Sequence, residues 1–235
     1  MKRLDRKKLK TDEFAQELGV TVDFLSKHKS ESVRYGAIAL ALIVILGGTY
    51  IYMRHQATVR QEALADAMKL INAVVSPTPQ PPNINFPTQA ELDKAWTKAF
   101  TDLATNYRGH EEGAIAQIYL AAKQSDKGNL PEAEKLYKDV MDSAPKEYSA
   151  WARISLAQVY ASEGKTQDAR ALMDYLIAHP TETISKEQAT IELAEILTKS
   201  NPADARKLLQ PLTTTTRPAV SRTAIELIGR LPQAN

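Results

Sequence analysis

The strongest constraint on this chain is that its sequence repeats. Ala116-Gln-Ile118-Tyr-Leu120-Ala121 returns 36 residues later as Ala152-Arg-Ile154-Ser-Leu156-Ala157, and 37 further on as Ala189-Thr-Ile191-Glu-Leu193-Ala194; a weaker copy stands at Ile225-Glu-Leu227. A second phrase keeps step with the first: Glu132-Ala133-Glu134-x-Leu136, Asp168-Ala169-Arg170-x-Leu172 and Asp204-Ala205-Arg206-x-Leu208, each 36 residues after the last. A period of this size marks one supersecondary unit stacked along the chain, because a single unit cannot cover its own apolar face. Apolar residues within each phrase step by three and four, the helical period. The predicted unit is therefore a pair of helices joined by a short turn. Small residues at Ala121, Ala157 and Ala194 on the first helix, and at Ala133, Ala169 and Ala205 on the second, let the two approach closely where they cross. Gly128 and Gly164 suit the left-handed turn that ends a helix.

These units, about 114–147, 150–183 and 187–215, resemble the tetratricopeptide repeat (TPR). The first supplies Leu120, Ala121, Gly128, Ala133, Tyr137 and Pro145 of that pattern, and the second Leu156, Ala157, Tyr160, Gly164 and Ala169. The copies are degenerate. Gln117, Gln124 and Arg153 replace aromatic residues, Met173 replaces the phenylalanine, and the third unit has Asn201-Pro202 in place of its turn glycine. A helix holding Ala95, Trp96, Phe100 and Leu103 reads as a half unit before the first, and Pro218 starts a terminal helix, Ala219 to Leu231. The resemblance implies a right-handed α-solenoid whose groove, lined by first helices, holds protein segments. On this register the exposed groove positions are Tyr119, Trp151, Ser155, Gln158, Glu192 and Glu195, and Trp151 is equally readable as a core residue. Some TPR domains grip a carboxylate terminus with Lys and Asn; the corresponding positions here are Ile118, Ala122, Ile154 and Gln158, which cannot form that clamp.

Ahead of the repeats, Tyr35–Met53 reads YGAIALALIVILGGTYIYM, without a charge between Arg34 and Arg54. At ~1.5 Å per residue it spans roughly the ~30 Å of a bilayer core, with tyrosines near both ends. Flanking arginines argue against a buried core helix. The run is longer than the ~7–15 apolar residues of a cleaved signal, and Tyr-Ile-Tyr-Met-Arg-His follows it in place of a small-residue cleavage site. The expectation is an uncleaved transmembrane anchor. Residues 1–34 hold nine Lys and Arg, against only Arg54, Arg60 and Lys69 in 54–87, so the positive-inside rule puts the N-terminus in the cytoplasm.

The chain thus divides into a basic cytoplasmic tail (1–34), a transmembrane helix (35–53), a membrane-proximal helix (54–75), a Pro-rich loop (76–87) and a TPR-like domain (88–235). In the tail, Phe14, Leu18, Val22 and Leu25 space a short amphipathic helix from Thr11, and its basic start serves as a topology signal or a lipid or partner contact. The loop SPTPQPPNINFP reads as an extended spacer. The fold class is all-α: one N-terminal transmembrane helix followed by a degenerate TPR-like α-solenoid.

Composition narrows the chemistry. Absent cysteine removes disulfides, thiolate-bound zinc and a thiol nucleophile. A net charge of +2 gives nucleic acid no claim as partner. His28, His55, His110 and His179 share no helical spacing with one another, so no metal site is expected. Neither a Gly-x-Ser-x-Gly elbow nor a phosphate loop is present. Glu111-Glu112 reads as a solvated loop or the first turn of a helix, not as a catalytic dyad. No catalytic residue, cofactor or metal is assigned, and the chain is expected not to be an enzyme.

The whole layout, about residues 30–235, resembles a narrower group, the bacterial single-pass inner-membrane proteins of the ancillary SecYEG translocon subunit (YfgM-like) family. That resemblance implies an inner-membrane protein with a periplasmic C-terminal domain, acting as an accessory or scaffold factor toward translocon subunits or periplasmic chaperones. The alternative is a structural organiser of another envelope assembly, in division or secretion, that self-associates through the same groove.

Overall fold

The computed structural model describes residues 29–78, 81–82 and 84–232. The N-terminal tail with its predicted amphipathic helix lies outside the described residues. The chain divides into two compact units, Met1–Val59 and Arg60–Asn235. Helix α1, Lys29–Lys69, contributes to both.

In the first unit the apolar side chains of α1, from Val33 to Met53, stand exposed. The helix is long and apolar enough to cross a membrane, and none of its apolar window is buried in the protein. It is therefore not a core helix: more than a dozen large apolar side chains in water would carry a hydrophobic cost that only lipid or another apolar surface removes.

The second unit is a run of helical hairpins. Its helices are α2 (Gln89–Asn106), α3 (Glu111–Asp126), α4 (Leu130–Ser143), α5 (Lys146–Ser162), α6 (Thr166–Ala178), α7 (Lys186–Ser200), α8 (Pro202–Leu209) and α9 (Pro218–Arg230). Each helix from α2 to α8 packs on the next, and α3, α5 and α7 also touch in series. These alternate helices are the first helices of the three repeats. The six predicted small positions, Ala121, Ala157, Ala194, Ala133, Ala169 and Ala205, are all fully buried or within 1% of it. Around them lies one continuous core that takes in Tyr137, Leu156, Met173, Leu193 and Leu209.

Local sequence explains where the helices begin and end. Thr88 accepts a hydrogen bond from the Glu91 amide at 3.2 Å, and Ser185 one from the Gln188 amide at 3.2 Å. Both are Ser/Thr-x-x-Glu/Gln sequences, the capping-box signature. Gly128 and Gly164, each at φ +75°, make the turns inside the first two hairpins, a conformation that costs other residues energy. The third hairpin needs none: Asn201, at φ −152°, stays out of the left-handed region and caps α8 by accepting from the Asp204 amide, with Pro202 opening the helix.

The substituted aromatic positions are filled in other ways. Gln117 is buried, and its amide donates to the Leu136 carbonyl at 3.2 Å and to Asp139 at 2.6 Å. The Arg153 guanidinium lies over the Tyr175 ring, 4.1 Å from its centroid. Met173 is fully buried in the place of a phenylalanine.

Two predicted features differ. The apolar spacing predicts a membrane-proximal helix to Val75, but α1 stops at Lys69 and a tight turn follows, Leu70–Asn72. Strand β1, Val74–Val75, then pairs in parallel with β2, Asn85–Phe86, so the Pro-rich segment departs and returns at one place rather than serving as a spacer along its whole length. Ser76 precedes Pro77, which disfavours helix there, and the β-branched valines suit a strand. The last turns of α1 are also more than a connector. Ala67 is 3% exposed and joins Phe100, Leu103 and Ala116 in a second small core, with Ala63, Leu64 and Met68 at its edge. The predicted half unit, α2, is covered in this way.

Candidate functional site

On α5, Trp151, Ser155, Gln158 and Ser162 recur at four, three and four residues and so share one face. Trp151 is 44% exposed, which resolves its two readings: it is not core. Gln158 is exposed and Ser155 half-buried. The matching stripe of α7 is Gln188, Glu192, Glu195 and Lys199, with Glu192 half-buried and Glu195 exposed. Tyr119 holds the equivalent place on α3 but is turned to another use. Its ring packs 5.3 Å from that of Phe100, in the small core that also receives Ala67.

Two open clefts flank this face. One, about 380 Å³, lies where α3, α4 and α5 meet and is lined by Ala122, Asp126, Tyr137, Ser155, Gln158 and Ser162 among others. The second, about 630 Å³, runs from the end of α5 past Glu195 and Lys199 to Leu227 and Arg230 of α9. Ser162 borders both, and the two clefts together with the stripes of α5 and α7 beside them are called the furrow below. Burial raises the Tyr137 phenol pKa at its floor, against hydrogen bonds with the Ser155 and Ser125 hydroxyls that pull the other way. Burial likewise raises the Glu192 carboxyl, helped by the like charge of Glu195, while a hydrogen bond from the Gln158 amide opposes the shift. Four predicted site residues, Ser155, Gln158, Glu192 and Glu195, are thus brought together, Trp151 stands on their stripe, and Tyr119 is packed away.

Sequence reasoning missed the role of Glu112. It does sit in the first turn of α3, but it is 1% exposed and not solvated. Arg60 Nε donates to it at 3.1 Å. The partner is 52 residues away on the last turns of α1, and no local signal announces it. Among the described residues no three His, Asp or Glu side chains gather as a metal site would require.

A model of the tetratricopeptide repeat-like domain matches residues 31–179, which takes in the apolar run, α2 and the first two hairpins. No curated protein and no solved structure matches the chain.

Proposed function

We infer the role of this chain from one premise: it belongs to the tetratricopeptide repeat-like domain family. Domains of this kind bind proteins. Solenoids of short repeats offer extended concave surfaces, and binding is carried by residues that packing does not use. The observation that carries the reading is Trp151: a large aromatic left 44% exposed on the face of α5 that borders the furrow. Tryptophan is among the residues enriched at the anchoring positions of interfaces. The furrow of α3, α5 and α7 is the partner surface, with Trp151 as its apolar anchor, Gln158 and Ser155 as hydrogen-bonding groups, and Glu192 and Glu195 setting charge preference.

The protein works as a membrane-held module. The N-terminal helix is an uncleaved anchor, a reading supported by a family match that starts at residue 31, ahead of the apolar run. The excess of Lys and Arg before the helix favours a cytoplasmic N-terminus and a C-terminal domain across the membrane, in the periplasm of a bacterium. Tethering raises the local concentration of partners, so weak individual contacts suffice. The layout supports an accessory or scaffold role at the Sec translocon or toward periplasmic chaperones, without catalysis.

Two experiments test this. A reporter active only outside the cytoplasm should work when fused after Asn235 and fail at the N-terminus; the reverse would overturn the charge argument. Trp151→Ala should weaken capture of partners from solubilised membranes by tenfold or more, an order set by interface hot spots of about 2 kcal/mol. Helical content and thermal midpoint should stay unchanged. Capture that survives the substitution would move the partner surface elsewhere. Recovery of translocon subunits or folding factors supports the assigned role, and recovery of division or coat proteins replaces it.

A further inference from the structure

Many carboxylates of the second unit are held by cations. Arg60 holds Glu112 at 3.1 Å, Lys123 holds Asp93 at 3.0 Å, Lys138 holds Glu134 at 2.6 Å and Arg217 holds Glu187 at 3.2 Å. Asp126 and Glu195, which line the clefts, and Glu192, on the same stripe of α7 as Glu195, have no ion-pair partner among the described residues. For an exposed acid such as Asp126 this costs nothing. Glu192 differs: it is half-buried, one helical turn from the like charge of Glu195, and its one neighbour of opposite tendency is the neutral Gln158 amide. Partial burial of an unpaired carboxylate beside another disfavours ionisation, and a cation placed between them removes that cost. Lys199, one turn past Glu195, does not pair with it in the structure, and Arg230 is taken by Glu226 at 2.5 Å.

Geometry adds a spacing. Gln158 is seven residues from Trp151 on α5, about 10 Å along the helix, and it reaches across to Glu192 on α7. An extended chain covers about 10 Å in roughly three residues. Resting on the furrow reading above, we propose that the partner segment is basic: an extended stretch that lays an apolar side chain on Trp151 and, about three residues on, places a lysine or arginine between Glu192 and Glu195, beside the Gln158 amide. An acidic chain terminus would meet the same two carboxylates and be repelled.

The test uses the full chain in detergent micelles. Trp96→Phe leaves Trp151 as the only tryptophan of the two, and phenylalanine preserves the stack that Trp96 makes on Phe100 at 4.1 Å. Three peptide pools of about eight residues are titrated, carrying Leu-x-x-Lys, Leu-x-x-norleucine or Leu-x-x-Glu, a length that spans the furrow spacing more than twice. Anisotropy of the same peptides, labelled, on the unaltered chain repeats the measurement. The lysine pool should shift Trp151 emission to the blue and bind about tenfold tighter than the norleucine pool, an advantage that salt erodes. The Glu192→Gln/Glu195→Gln variant should abolish that preference. Equal binding of the lysine and norleucine pools would overturn the basic partner and leave the furrow reading standing. No response to any pool would overturn both. An emission shift driven by protein concentration alone would make the occupant a second copy of this chain, and the proposal would fall.

Discussion

Ala157→Trp is expected to lower the thermal midpoint of the protein by about 10 °C. Ala157 is fully buried where α5 crosses its neighbours, and Ala169, on α6, is its counterpart in the second helix of the same hairpin. An indole in either place must push two helices apart, and overpacking of this kind costs ~3 kcal/mol or more. At roughly 2–4 °C per kcal/mol for a unit of this size, that gives the stated shift. Ala161 is the control. It lies one turn along the same helix, is only half-buried, and borders the larger open cleft. Ala161→Trp should move the midpoint by a small part of that amount in a circular-dichroism melt. Three equal shifts would disprove the assignment of Ala157 and Ala169 as crossing positions.

Gly113→Ala should act in the opposite sense to helix propensity. In an ordinary helix this change stabilises by up to about 1 kcal/mol. Here the turn between α2 and α3 folds back on itself: Gly109 adopts φ +82°, the His110 amide donates to the Tyr107 carbonyl at 3.0 Å, and that same carbonyl lies over Gly113. A Cβ built on Gly113 would stand 2.2 Å from the Tyr107 oxygen and 2.5 Å from its carbon. Backbone atoms cannot swing aside as a flexible side chain does, so the turn must open, and a loss of ~2–4 kcal/mol is expected. Gly229, in α9, has open space where its Cβ would be, and Gly229→Ala should be neutral or slightly stabilising. Denaturant melts of the two variants read the contrast directly. A stabilised Gly113→Ala protein would show that the tight turn is not a requirement of the fold.

The repeat was legible in the sequence because its small residues answer to a geometric demand that recurs with every hairpin. Only a small residue suits the buried positions Ala121, Ala157 and Ala194, so the pattern survives even where Gln117 or Arg153 has replaced an aromatic. Turn chemistry was equally local at Gly128 and Gly164, whereas Asn201 was legible only as the loss of a turn glycine and its capping of α8 was not read. The end of α1 was not legible: Leu64, Met68, Ile71 and Val75 keep an apolar spacing past Lys69, and the pairing with Asn85–Phe86 that overrides it comes from further along the chain. The burial of Glu112 was hidden for the same reason, since its arginine belongs to another helix. In the furrow, spacing alone was enough to place Ser155, Gln158, Glu192 and Glu195 on one surface. It could not say that Tyr119 would be claimed by Phe100, because that depends on α2, whose repeat signal is only half present.

The short parallel pairing of β1 and β2 works as a clasp. The Val74 amide donates to the Ile84 carbonyl at 2.8 Å, the Ser76 amide to the Phe86 carbonyl at 2.9 Å, and the Asn85 amide group to the Ser76 carbonyl at 2.7 Å. What lies between is a closed ring of chain whose two ends are fixed side by side. Closing a loop costs little more when it is lengthened, each doubling adding about 0.6 kcal/mol. The ring can therefore grow or shrink over evolutionary time, or carry a grafted epitope, while the helices on either side keep their places.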